Sequence, residues 1–241
     1  MSLFQCVMCS ASLEKQTNID IVHPSYWNGK DPLPVLYLLH GLSDDYSNWM
    51  RRSLIELFAD EKNIMVVMPD GARSWYCNQI DGCNYYDYVS KELPEFIERT
   101  FNVAKTADKR FIAGLSMGGY GAVKIALRNP ERYGAVAAFS GAYELNWVKE
   151  AHPKCYTEAF GDAPSAEDDV YRLVADFKSA VRPRFYLACG LRDRFYQCDC
   201  DLRDRLKAAG FDVVWDEEDR DHEWRFWNSQ IEKAIPWMLM K

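Results

Sequence analysis

Gly114-Leu115-Ser116-Met117-Gly118 follows the apolar run Arg110-Phe111-Ile112-Ala113 and precedes Gly119-Tyr120-Gly121-Ala122. The pattern is Gly-x-Ser-x-Gly with a strand before it and a small-residue helix after it. A serine on so sharp a strand-to-helix turn presents its hydroxyl above the sheet. The flanking glycines let the chain make the turn, and the small residues let the helix lie close to the strand. Ser116 is therefore expected to be a nucleophile at the carboxyl end of a central strand.

Outward from this turn, strands and helices alternate. Val35–Leu39 and Ile64–Met68 are continuous apolar runs, as strands buried on both faces require. Ala135–Phe139, Phe185–Cys189 and Val213–Trp215 read as further strands. Phe4–Leu13 and Thr17–Val22 alternate and suggest an antiparallel pair at the sheet edge. Helical spacing runs from Trp49 to Phe58, from Tyr88 to Phe101 and from Met117 to Arg128. Two more helices are expected at about 195–209 and 223–240. The fold class is α/β: a mostly parallel, twisted sheet of about eight strands with helices on both faces. The whole chain, 1–241, reads as one domain. An excursion at about 141–182, bearing Trp147, Tyr156, Phe160 and Tyr171, is expected over the rim of the site.

The bulk composition excludes several classes. Lys and Arg total 29 against 36 Asp and Glu, a net charge of −7 spread along the chain. That argues against nucleic acid or an anionic membrane as partner. The first residues lack a basic segment followed by an apolar one, and no apolar run reaches the roughly 20 residues that span a bilayer. A cytoplasmic location is expected. The eight cysteines do not suggest a metal site. Cys6 and Cys9 fall on opposite faces of a strand, and Cys198 and Cys200 lie about 200° apart on a helix. Cys77 and Cys83 share a loop and could pair, but reduced thiols are expected.

A serine hydroxyl needs a base within hydrogen-bond reach, and the base needs an orienting acid. In such a sheet the chain order is nucleophile, acid, base. Of His23, His40, His152 and His222, only His222 follows the late strands. The acid belongs in the loop after the preceding strand, where Cys189-Gly190-Leu191-Arg192-Asp193 supplies Asp193. Asp199 and Asp201 fall inside the next helix and are expected to point away. Asp193 could alternatively cap that helix. For the oxyanion, one donor is the Met117 amide. The other is expected from His40-Gly41-Leu42, at the Leu42 amide with Ser43 as its neighbour. His40 itself is expected to lock that loop.

These stretches, with Pro69-Asp70-Gly71 and His222-Glu223-Trp224, run across nearly the whole chain. They resemble the α/β-hydrolases of the esterase D and S-formylglutathione hydrolase superfamily, and most of all the bacterial tributyrin esterases. The resemblance implies ester hydrolysis through Ser116, His222 and Asp193, with no metal or organic cofactor, and a homo-oligomer. Substrates would be short-chain or aryl esters, including acylated sugars. Acyl transfer, S-formylglutathione hydrolysis and feruloyl ester hydrolysis are alternatives on the same residues, and a fold kept only for binding is a further one. S-formylglutathione hydrolases usually carry histidine where Leu115 and Tyr120 stand here. The loop 72–86 varies among members, so its Trp75, Tyr76, Asn78, Tyr85 and Tyr86 are expected substrate contacts by position.

Overall fold

A computed structural model describes residues 1–80 and 82–240. Its strands are β1 (Ser2–Ser10), β2 (Lys15–His23), β3 (Val35–Leu39), β4 (Met65–Pro69), β5 (Arg110–Leu115), β6 (Ala135–Phe139), β7 (Arg184–Gly190) and β8 (Val213–Glu218). They form one sheet in the order β1-β2-β4-β3-β5-β6-β7-β8. β1 pairs antiparallel with β2, and β2 antiparallel with β4. From β4 through β8 every pairing is parallel.

The helices are α1 (Asn48–Arg52), α2 (Ile55–Lys62), α3 (Tyr85–Asp87), α4 (Leu93–Thr100), α5 (Met117–Arg128), α6 (Leu145–Ala151), α7 (Pro153–Phe160), α8 (Val170–Ala175), α9 (Tyr196–Ala208) and α10 (Trp224–Leu239). β3, β4, β5 and β6 are buried at every residue, which explains their apolar runs, broken only by Arg110 at the start of β5, which pairs with Glu98. The pleat still sorts their side chains. Val35, Tyr37 and Leu39 join a core with Val123 of α5 and Leu202 of α9. Leu36 and Leu38 face the other way, into a core with Trp49, Phe58, Phe226 and Ile231. Helices thus cover both faces, and the carboxyl ends of β3 to β8 open together on one side. No helix among the described residues is long and apolar enough to cross a membrane.

Two helices depart from the spacing-based expectation. The Trp49–Phe58 segment breaks at Ser53, whose backbone is extended, giving α1 and α2. The Leu54 amide is then satisfied by Asn228 Oδ1 at 2.8 Å, from α10. The helix expected from Tyr88 begins at Tyr85 and passes through a π-helical turn, Tyr88–Glu92, into α4. Pro94 has no amide hydrogen to give the Ser90 carbonyl. Arg132 Nη1 donates to that carbonyl instead, at 2.9 Å.

Candidate active site

The turn between β5 and α5 holds Ser116 at φ 53°, ψ −117°, a region that costs a residue with a side chain about 1–3 kcal/mol. Neighbouring backbone fixes it there. The Ser116 amide donates to the Phe139 carbonyl at 2.9 Å, and the Ser116 carbonyl accepts from Tyr120 at 3.0 Å and Ala142 at 3.2 Å. Two glycines make the turn sterically feasible. A Cβ on Gly114 would overlap the Gly118 backbone, and one on Gly118 would lie 2.5 Å from the Leu39 carbonyl oxygen.

His222 stands in the loop between β8 and α10. Its Nε2 lies 3.1 Å from Ser116 Oγ, and its Nδ1 lies 2.8 Å from Asp193 Oδ2. Phe195 and Trp227 pack edge-on against the imidazole, with ring centroids at 5.3 and 4.8 Å. Asp193 is buried, and its Oδ1 accepts from the Phe195 amide at 2.9 Å. The carboxylate thus caps the approach to α9 and meets His222 at once. Burial pushes the Asp193 carboxyl up, but the hydrogen bond and charge of His222, with the Phe195 amide and Ser140, outweigh it. Its pKa lies below the ordinary value. An ionised Asp193 can only accept, so the His222 proton sits on Nδ1 and Nε2 is free to take the serine proton.

The β3–α1 loop is clamped over the nucleophile turn. The Gly71 amide donates to His40 Nε2 at 2.8 Å, and His40 Nδ1 lies 2.7 Å from the Gly41 carbonyl. Tyr76 donates its hydroxyl to the His40 carbonyl at 2.9 Å. Gly41 comes so close that a Cβ there would lie 3.7 Å from Ser116 Cβ. Leu42 and Ser43 line the same cavity as Ser116 and His222. Met117 opens α5 directly after the nucleophile.

That cavity holds about 440 Å³, and Trp75, Trp147 and Trp224 line it. Of the five substrate contacts expected from the 72–86 loop, Trp75 alone lines it. Trp75 and Tyr76 both have positive φ, 55° and 50°, which turns this loop back into the core. Tyr76 is fully buried, propping the His40 carbonyl. Asn78 is exposed and donates to Asp87 at 2.8 Å. Tyr85 accepts from Lys15 at 2.9 Å, and Tyr86 is held by Asn129 at 2.9 Å under the Arg128 guanidinium.

Trp75 is positioned from behind. The buried Lys124 of α5 donates to the Trp75 carbonyl at 3.3 Å and to Cys77 Sγ at 2.8 Å, and pairs with Asp168 at 3.1 Å.

The expectation that Asp199 points away is corrected. It is fully buried, and its Oδ1 accepts from the Gly141 amide at 3.1 Å, steadying the turn against Ser116. Burial, with the charge of Asp193 adding to it, pushes its carboxyl well above the usual range.

Sequence reasoning also missed Arg52, Arg73 and Arg194, which line the cavity with His152 of the expected rim excursion. The three arginines come from three separate segments, and the signal nearest to hand was the adjacency of Arg194 to Asp193. Among the described residues no cluster of three or more His, Cys, Asp and Glu side chains could hold a metal ion.

Comparison with known proteins gives a consistent picture. The family model described as "Putative esterase" matches residues 10–238. An acetyl esterase of Caldicellulosiruptor saccharolyticus is 32% identical over 262 residues, covering 99% of this chain and 98% of the relative. The substrate-bound structure of FphF, a fluorophosphonate-binding serine hydrolase of Staphylococcus aureus, matches with a TM-score of 0.91 at 30% identity. It covers 100% of this chain and 99% of that one. An S-formylglutathione hydrolase, FrmB, of the same organism matches with a TM-score of 0.88 at 30% identity, over 99% of both chains.

Proposed function

The chain belongs to the esterase D-type family of α/β-hydrolases and is a serine carboxylic ester hydrolase, and we propose that Ser116, His222 and Asp193 are its catalytic triad. The observation that carries this is the relay of 3.1 Å from Ser116 Oγ to His222 Nε2 and 2.8 Å from Nδ1 to Asp193. In the first step His222 takes the hydroxyl proton as Ser116 Oγ attacks the ester carbonyl. The negative oxygen that forms is held by the Leu42 and Met117 amides, each donor being worth about 10²–10³ in rate. The tetrahedral intermediate collapses, the alcohol leaves with the proton from His222, and an acyl-serine remains. Water, deprotonated by His222, then releases the acid. Asp193 keeps the imidazole in the working tautomer and stabilises its charged form.

The favoured substrates are short-chain or aryl esters, acetylated sugars among them. A cavity of about 440 Å³ walled by Trp75, Trp147 and Trp224 supports a compact acyl or aryl group. The acetyl esterase named above points the same way. The 141–182 segment belongs to one domain with the rest in this reading and forms the rim, supported by Trp147 and His152 in the cavity wall. A homo-oligomer and a cytoplasmic location complete it. Buried thiols engaged as hydrogen-bond partners, such as Cys77 with Lys124 and Cys198 with the Phe195 carbonyl, suit a reducing compartment.

The test is a panel of 4-nitrophenyl esters of increasing acyl length, with acetylated and feruloylated sugars, on the wild type, Ser116→Ala and His222→Ala. Both variants should lose turnover while keeping the fold, and the acetyl and butyryl esters should lead. Full activity in His222→Ala with loss in His152→Ala would move the base to the 141–182 segment. Added alcohols would reveal transfer as a second product.

A further inference from the structure

The wall of the active-site cavity is positively charged, although the chain as a whole carries a net −7. Arg52, Arg73 and Arg194 line it with Ser116 and His222, and Asp44 is the one carboxylate in that lining. Asp44 Oδ1 accepts from Asn48 Nδ2 at 2.6 Å, and burial pushes its carboxyl above the ordinary value against the opposing charges of His40 and Arg52. The other two arginines are held by uncharged partners. Arg73 donates Nε to Cys155 Sγ at 3.0 Å, which orients the guanidinium and leaves its terminal N–H groups available. Arg194 lies over the Trp147 ring, 5.5 Å from its centroid. Elsewhere Arg110, Arg128, Arg172 and Arg192 are paired with carboxylates, while Arg182 and Arg205 lie over aromatic rings. Among the described residues neither Arg73 nor Arg194 makes such a pair.

The two guanidinium groups act on one spot. His152 lines the cavity beside them, and after burial their charges are what hold its imidazole below its ordinary pKa. A second hollow of about 330 Å³ opens from the same place, sharing Arg73 and His152 and lined further by Lys154 and Glu158, which pair with each other at 3.7 Å. Two oriented, unneutralised guanidinium groups on a concave wall match the fork geometry by which arginine binds carboxylates.

We propose that Arg73 and Arg194 form an anion subsite of this esterase, so that its preferred esters carry a carboxylate on the part reaching toward α6 and α7. The proposal rests on Ser116 being the nucleophile. The charged group could lie on either side of the ester bond. The test therefore uses two pairs: 4-acetoxybenzoate against its methyl ester, and mono(4-nitrophenyl) adipate against its methyl ester.

The wild type should favour the charged member of one pair by about tenfold or more in kcat/KM, the scale of one charge-assisted contact. That preference should shrink with added salt. Arg73→Gln and Arg194→Gln should each lower turnover of the charged ester about tenfold more than that of its neutral partner. Arg194→Glu should reverse the preference. Equal turnover of both members in both pairs, or a preference that survives Arg73→Glu with Arg194→Glu, would overturn the subsite. Ser116→Ala separates the two levels. Loss of turnover on all four esters there leaves the nucleophile standing whatever the charge preference. Wild-type turnover there removes the nucleophile and the subsite with it.

Discussion

The main-chain amide of Gly71 donates to Nε2 of His40 at 2.8 Å. A ring nitrogen that accepts carries no proton, so the His40 proton is on Nδ1 and is donated to the Gly41 carbonyl at 2.7 Å. One imidazole thereby ties the loop after β4 to the loop that carries Leu42, the proposed oxyanion donor. His40→Ala should lower kcat by about 10–100-fold, part of the loss expected for a missing oxyanion donor, with a smaller change in KM. Steady-state kinetics on a variant with unchanged circular dichroism checks this.

Asp193→Asn should lower kcat by about 10⁴, because the amide favours the wrong imidazole tautomer. The stability consequence has a defined sign. The folded-state pKa of Asp193 is depressed. Its contribution is therefore present above the ordinary carboxylate range and lost as pH falls through the folded value, below about pH 4. Urea unfolding at pH 7 and pH 3 should show the gap between wild type and Asp193→Asn closing at the lower pH.

Asp199 has the opposite sign. Its carboxyl is pushed up from 3.8 by burial, so its contribution is full below that value and lost as pH rises toward the folded pKa. Asp199→Asn keeps an oxygen for the Gly141 amide and removes the ionisable group. The variant should melt higher than wild type at pH 8, by about 2–4 °C for each kcal/mol relieved. The advantage should fade toward pH 4. A variant that melts lower at pH 8 would mean that a buried carboxylate is needed there.

Gly118→Ala should be severe despite adding one methyl group. The new Cβ would lie 2.5 Å from the Leu39 oxygen and 2.7 Å from the His40 oxygen, both backbone atoms. Either α5 or the β3–α1 loop must shift, and both carry expected oxyanion donors. We expect a loss of about 1–3 kcal/mol in stability, the usual range for overpacking, and a fall in kcat at unchanged ester preference. Denaturant melts and kinetics on the same preparation separate the two effects.

The parts of the fold legible in sequence are those where burial leaves a chemical trace. β3, β4, β5 and β6 lie inside two helical layers, so Val35–Leu39 and its counterparts are apolar, broken only by Arg110 at the start of β5. His222 and Asp193 were readable because the order of strands dictates which loops can reach Ser116. Side chains placed by tertiary contacts left no such trace. Tyr76, Tyr85 and Tyr86 look like pocket aromatics, but the positive φ at Tyr76 turns it into the core, and Lys15 and Asn129 hold the buried Tyr85 and Tyr86 away from the cavity. Asp199 reads as an ordinary polar helix position until the Gly141 amide is found opposite it. The charged wall from Arg73 and Arg194 comes from loops far apart in sequence, each locally unremarked.

In the proposed mechanism Ser116 carries the acyl group between the two chemical steps. Mixing the protein with excess 4-nitrophenyl acetate, quenching in acid within the first turnover and mapping the adduct by peptide mass spectrometry tests this directly. One acetyl group per chain is expected on the peptide containing Ser116, formed with a stoichiometric burst of nitrophenol and absent in Ser116→Ala. An acetyl group on another residue that turns over at the catalytic rate, or the same burst from Ser116→Ala, would contradict it.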